Sequence, residues 1–141
     1  MKSPNSGAKT IMGAVFGLIF AILGVNLGNK LISGSSESAL KKEVEKFNKE
    51  LPQQLDEITR IDSISLPSDK ILIYYLTVDV PKDEISPDYM KESVAPNILN
   101  IIRTEPNLDI FRKRETTWYY KYYDNRGSMF FEYVITPEMY K

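Results

Sequence analysis

The sequence predicts an α+β fold: an N-terminal transmembrane helix, then an α-β-β-α-β-β domain whose four strands form an antiparallel sheet with both helices on one face. Three observations predict it. An uncharged apolar run fills positions 10–28, two segments of helical period each precede extended segments, and two aromatic, β-branched stretches flank a tight-turn sequence near the C-terminus.

The apolar run, with its ends, is assigned as a transmembrane helix over 10–31, preceded by a short tail over 1–9. Its 19 uncharged residues approach the ~20 needed to cross a bilayer. Apolar residues on every face, with Gly13, Gly17 and Gly24 inside, would make a poor water-facing helix. A cleaved signal peptide is the rival reading, with Lys2 and Lys9 as its basic start. The run is longer than a signal core and no Ala-x-Ala follows, which favours an uncleaved anchor. Gly13, Gly17, Ala21, Gly24 and Gly28 recur at spacings of three or four and form a small-residue stripe suited to close helix packing in lipid. The stripe predicts self-association through the membrane helix or pairing with another membrane protein. Lys2 and Lys9 precede the segment, whereas only Lys30 follows closely, a bias that places the N-terminus in the cytoplasm and the domain outside.

A Gly/Ser linker is expected over 32–38, with Ser35 or Ser36 as the N-cap of a helix. Leu40, Val44, Phe47, Leu51, Leu55 and Ile58 then share one helical face, and Pro52 predicts either a kink or the first turn of a second short helix. Strands follow over 59–66 and 71–80, joined by a turn at Pro67, Ser68, Asp69 and Lys70. In the second strand Leu72, Tyr74, Leu76 and Val78 alternate with a mixed face. Ser86 and Pro87 open a helix whose buried face carries Tyr89, Met90, Val94, Ile98, Ile101 and Ile102, with a bend at Pro96. A further helical turn is expected over 107–112. Segments 115–123 and 128–136 pair as a hairpin about Asp124, Asn125, Arg126 and Gly127. The folded part thus forms one domain over 39–141.

Composition removes whole classes of chemistry. With neither Cys nor His, thiolate and imidazole nucleophiles, bases and metal ligands are absent, disulfides are absent, and there is no Cys for a lipoprotein to acylate. Beyond position 30 the chain holds 15 basic and 19 acidic residues, a net charge of −4 that argues against non-specific nucleic-acid binding. No metal or cofactor motif occurs, and no catalytic residue is assigned.

Three groups of residues are candidate sites. Trp118, Tyr120, Tyr122 and Phe130, from a band that includes Tyr119, Tyr123, Phe131 and Tyr133, are candidate partner-binding residues, because consecutive aromatics on a strand must point to both faces of a sheet. The alternative is that they only stabilise the hairpin. Asp56, Glu57, Arg60 and Asp62 form a charged group that fits a structural salt-bridge network better than acid-base catalysis, since Arg lowers the pKa of a neighbouring carboxylate. Arg112, Lys113 and Arg114 form a basic triplet that reads as a solvated strand edge.

Leu51-Pro52 through Asp56, Thr59-Arg60, Asp62-Ser63, Tyr74-Tyr75-Leu76, and Tyr122-Tyr123-Asp124 before Gly127 together resemble a set of small uncharacterised bacterial envelope proteins. In these a membrane anchor or signal sequence precedes an α-β-β-α-β-β domain. The resemblance implies a bacterial envelope location and no activity. The expected function is a membrane-anchored, non-enzymatic interaction module, an accessory or assembly subunit of an envelope complex, held single-pass in the inner membrane with its domain periplasmic or extracellular. The lipid bilayer and a protein partner are the expected contacts. The alternative is an envelope enzyme or glycan-binding domain that uses acidic and aromatic residues.

Overall fold

The structure is a computed structural model that describes residues 36–55 and 57–141. The transmembrane assignment over 10–31 and its small-residue stripe lie outside the described residues. Among those described, no helix is long and apolar enough to cross a membrane.

Helix α1 (Glu37–Asn48) starts where the sequence marks it, with the Ser36 hydroxyl accepting the Ala39 N–H at 3.1 Å. It buries Leu40, Val44 and Phe47. The expected continuation through Pro52 does not form. Proline disfavours the helical conformation of the residue before it and offers no N–H of its own, so the chain leaves the helix before Leu51. A two-residue strand, β1 (Gln53–Gln54), follows and pairs with the next strand. Leu51, Leu55 and Ile58 still pack against the core, from outside any helix.

The sheet has five strands in the order β1-β2-β3-β4-β5, one more than the sequence predicts. Strands β2 (Thr59–Ser68) and β3 (Ile71–Val78) are antiparallel, as are β4 (Thr117–Tyr123) and β5 (Met129–Ile135). The central pair is the second correction. β3 and β4 run parallel, Ile71 beside Thr117 and Thr77 beside Tyr123, so the sheet is mixed and not wholly antiparallel. The crossover explains this. Helix α2 (Pro87–Tyr89), a π turn (Met90–Val94) and helix α3 (Ala95–Thr104) form one continuous helical path. At 1.5 Å per residue it is about 27 Å long, which matches the roughly 26 Å of an eight-residue strand. The chain is therefore carried back to the end where β3 began, and β4 must set out in the same direction.

The π turn has a cause in the sequence. Pro96 has no N–H for the helical ladder and its ring crowds the carbonyl four residues earlier, so the path widens just before it, the Ala95 N–H reaching Met90 O. Met90, Val94, Ile98 and Ile102 stay on the buried face throughout. A 3₁₀ turn (Pro106–Leu108) and helix α4 (Asp109–Lys113) lead into β4, and helix α5 (Pro137–Tyr140) ends the chain.

One face of the sheet carries the core. Leu72, Tyr74, Leu76 and Val78 of β3 are at most 1% exposed, and Trp118, Tyr120 and Tyr122 of β4 lie beside them in register. Against these pack the inner faces of α1 and the crossover helix. Trp118 meets Phe111 and Tyr140 edge-on, with centroids 6.0 and 5.3 Å away, while the Tyr140 hydroxyl donates to Thr116 O at 2.7 Å. Burial, then the nearby Glu115 and Glu138, push the Tyr140 phenol up to about 12.

Candidate functional site

The parity of β4 decides what the aromatic band can do. Side chains alternate between faces, and the paired register puts Trp118 with Leu72, Tyr120 with Tyr74 and Tyr122 with Leu76 on the helix-covered face. Trp118 and Tyr122 are fully buried and Tyr120 is 2% exposed, so the expected partner surface built on these three is corrected: they are core residues. The physical reason is volume, because a sheet face under helices needs large side chains to fill the layer between them. Tyr74 and Tyr120 tilt against each other with centroids 4.8 Å apart. Burial holds the phenols of Tyr74, Tyr120 and Tyr122 well above their ordinary range, which keeps them neutral.

Phe130 is the exception. A bulge in β5 places Phe131 opposite Tyr122 and Met129 opposite Tyr123, and Phe130 falls between them. Both phenyl rings then lie near Tyr122, at 6.1 and 6.2 Å. Phe130 and Phe131 remain partly exposed on the last strand of the sheet.

The opposite face carries Ile71, Ile73, Tyr75 and Thr77 from β3, with Thr117, Tyr119, Lys121 and Tyr123 from β4, all half-buried. Lys121 links this face to the sheet edge, with its ammonium 3.7 Å from Glu132 and 5.9 Å from the Tyr75 ring centre.

The charged group separates into parts. Asp56 lies outside the described residues and Glu57 is exposed. Arg60 pairs with Asp62 at 2.5 Å, and the other Asp62 oxygen accepts the Thr77 hydroxyl at 2.5 Å. Both carboxylate oxygens of Asp62 are thus engaged by the sheet's own side chains. Two members of the basic triplet, Arg112 and Arg114, are turned inward and only Lys113 is exposed, so it is a solvated edge at that one position. Arg112 donates to Ile102 O at 2.7 Å and Glu105 O at 2.8 Å, closing the C-terminal end of α3, while Arg114 pairs with Asp69 at 2.9 Å, both side chains less than a quarter exposed. Lys113 reaches Asp109, and this contact, first among several, lowers the pKa of that carboxyl.

A cleft with a mainly apolar lining lies between α3 and β5. Ala95, Pro96 and Leu99 form one wall, Phe131 and Tyr133 the other, and Lys91 and Glu132 stand at the rim of a cleft of about 380 Å³. Burial raises the Tyr133 phenol. The sequence held a signal for this cleft: Ala95 and Leu99 are one helical turn apart and fall off the stripe of Met90, Val94, Ile98 and Ile102. Among the described residues, no cluster of acidic side chains is arranged to hold a metal ion.

This architecture is shared with solved structures at low sequence identity. The pilotin EpsS of the Vibrio vulnificus type 2 secretion system aligns with a TM-score of 0.59 and 10% identity, over 74% of this chain and 91% of its own. The type II secretion pilotin AspS of Vibrio cholerae aligns with a TM-score of 0.54 and 12% identity, over 73% and 90%. A Pseudomonas aeruginosa protein described as secreted aligns with a TM-score of 0.58 and 16% identity, over 77% of this chain and 100% of its own. At these identities the likeness is one of fold. By sequence, no curated protein matches. Residues 35–131 match the family described as a domain of unknown function, DUF8479, and the chain belongs to that family.

Proposed function

We propose that this chain is a non-enzymatic accessory or assembly module of a bacterial envelope complex, tethered by its N-terminal apolar segment and contacting a protein partner through the cleft between α3 and β5. The observation that carries this reading is the cleft itself: Ala95, Pro96, Leu99, Phe131 and Tyr133 form a concave apolar surface at the sheet edge. The fold shared with two type II secretion pilotins and a protein described as secreted supports the envelope setting. The small-residue stripe of the apolar segment offers a second contact, within the bilayer.

The enzymatic alternative has less behind it. Its acidic candidate Asp62 has both oxygens engaged, and its aromatic candidates Trp118, Tyr120 and Tyr122 are in the core.

Protease treatment of intact spheroplasts carrying the chain tagged at both ends tests the tether and its orientation. The reading expects loss of the C-terminal tag from a chain of full starting length. Protection of that tag would put the domain in the cytoplasm and contradict the reading, and a starting band short by about 3 kDa, one signal peptide's mass, would mean the segment is cleaved.

A further inference from the structure

The two edges of the sheet are finished differently. On the β2 side, β1 supplies two residues of pairing, and beyond it the side-chain amide of Asn48 takes over: it accepts the Ile64 N–H at 2.8 Å and donates to Ile64 O at 2.6 Å. That amide does what a neighbouring backbone would do and closes the edge. The other edge has the bulge at Phe130 but, among the described residues, no side chain that caps its backbone groups. β5 is seven residues long, contains no proline, and has a strand on one side only. Met129, at its start, is 50% exposed and is the one large hydrophobic residue so exposed among those described. The apolar cleft runs along this edge.

We propose that β5 takes up an extended segment of the partner protein as a sixth strand, whose alternate apolar side chains enter the cleft beside Phe131 and Tyr133 and whose intervening residue is basic. The inference deepens the interaction reading and rests on it. Two features select this occupant. An unpaired strand edge offers hydrogen bonds to an extended backbone, whereas a helix has already satisfied its own. Charge complementarity selects the residue. Glu132 sits at the middle of β5, 36% exposed and 3.7 Å from Lys121 on its inner side, so a second copy pairing about that point would set Glu132 directly against Glu132 on the outer side, and like charges directly opposite repel. A foreign strand with Lys or Arg there is attracted instead.

The probe is a fluorescent heptapeptide, Ser-Thr-Val-Lys-Val-Thr-Ser, compared with its Glu-centred counterpart, titrated against the full-length chain in lipid nanodiscs and read by anisotropy. The Lys-centred peptide should bind about fivefold more tightly, the effect of one good cross-strand charge pair. The double exchange Lys121→Glu/Glu132→Lys keeps the internal ion pair and should reverse the preference, while Leu99→Trp, which fills the cleft, should weaken both peptides. Equal binding of the two peptides, a preference that survives the exchange, or no binding by either would overturn strand addition. If a photo-crosslinker at Leu99 still captured an envelope protein under any of those results, the interaction reading would stand and only its strand-addition form would fall.

Discussion

The carboxylate of Asp124 accepts the backbone N–H of Lys82 at 3.1 Å, fastening the β4–β5 turn to the start of the crossover that leaves β3. The same carboxylate takes the N–H groups of Ser128 at 2.8 Å and Arg126 at 3.0 Å, and the Asn125 N–H reaches Val80 O at 3.2 Å. Gly127, at φ 81°, supplies the left-handed residue that the turn needs. Two segments 42 residues apart thus share one acceptor.

The Ser128 N–H, ahead of those of Lys82 and Arg126, holds the Asp124 carboxyl below its ordinary pKa. A carboxyl depressed on folding stabilises the fold at pH values above its unfolded pKa, about 4, and that contribution disappears as the pH falls through the folded value. Acid denaturation of the wild type should therefore steepen below about pH 4. Asp124→Asn should lower the melting temperature at pH 7 and flatten the profile between pH 5 and pH 2 (both approximate bounds), measured by circular dichroism. Parallel profiles for the two proteins would show that the carboxylate charge is not what binds the turn.

Strand parity predicts a sharp contrast between neighbours. Trp118 is fully buried, so Trp118→Ala should cost about 3–5 kcal/mol. Tyr119 is half-buried on the open face, so Tyr119→Ala should cost less than about 1.5 kcal/mol. Urea unfolding of both variants checks the register directly, because a one-residue slip would exchange the two values.

Removing the Asn48 amide leaves both backbone groups of Ile64 without their side-chain partner. Asn48→Ala should destabilise the domain by about 2 kcal/mol, and amide exchange at Ile64 should accelerate more than at Ile61. Unchanged exchange at Ile64 would mean that the amide does not close the edge.

Glu115 adopts φ 57° at the end of α4, where the Thr116 N–H returns to Phe111 O at 3.1 Å. Residues with a Cβ are disfavoured in this helix-ending conformation and glycine is preferred. Glu115→Gly should raise the melting temperature even though it removes the exposed ion pair with Lys141. A lowered value would show that the pair outweighs the backbone.

Local signals in the sequence read well where the physics is local. Ser36 and Ser86 cap helices as their hydroxyls predict, and the hairpin about Asp124 and Gly127 forms where expected. What required the fold was long-range. The direction of β4 depends on the length of the crossover helix, the strand β1 depends on pairing with β2, and the inward parity of Trp118 depends on its register against Leu72. A strand with aromatic residues at both parities, marked as two-faced only by Thr117 and Lys121, carries little alternation to say which face is buried, so the sequence does not assign Trp118, Tyr120 and Tyr122 to the core. The cleft was harder still, because it joins Leu99 to Phe131 and Tyr133 across two elements that the sequence keeps apart.

The most direct test of an interaction module that works through this cleft is position-specific photo-crosslinking in cells. A photoreactive amino acid would replace Leu99 in the cleft, Tyr119 on the open sheet face or Lys46 on the exposed side of α1, in the full-length chain. The account predicts one discrete envelope-protein adduct from position 99 and none from position 46, with the position-99 adduct lost when Ala95→Arg puts a charged side chain in the cleft wall. An adduct from position 119 with none from position 99, or a position-99 adduct unaffected by Ala95→Arg, would contradict it.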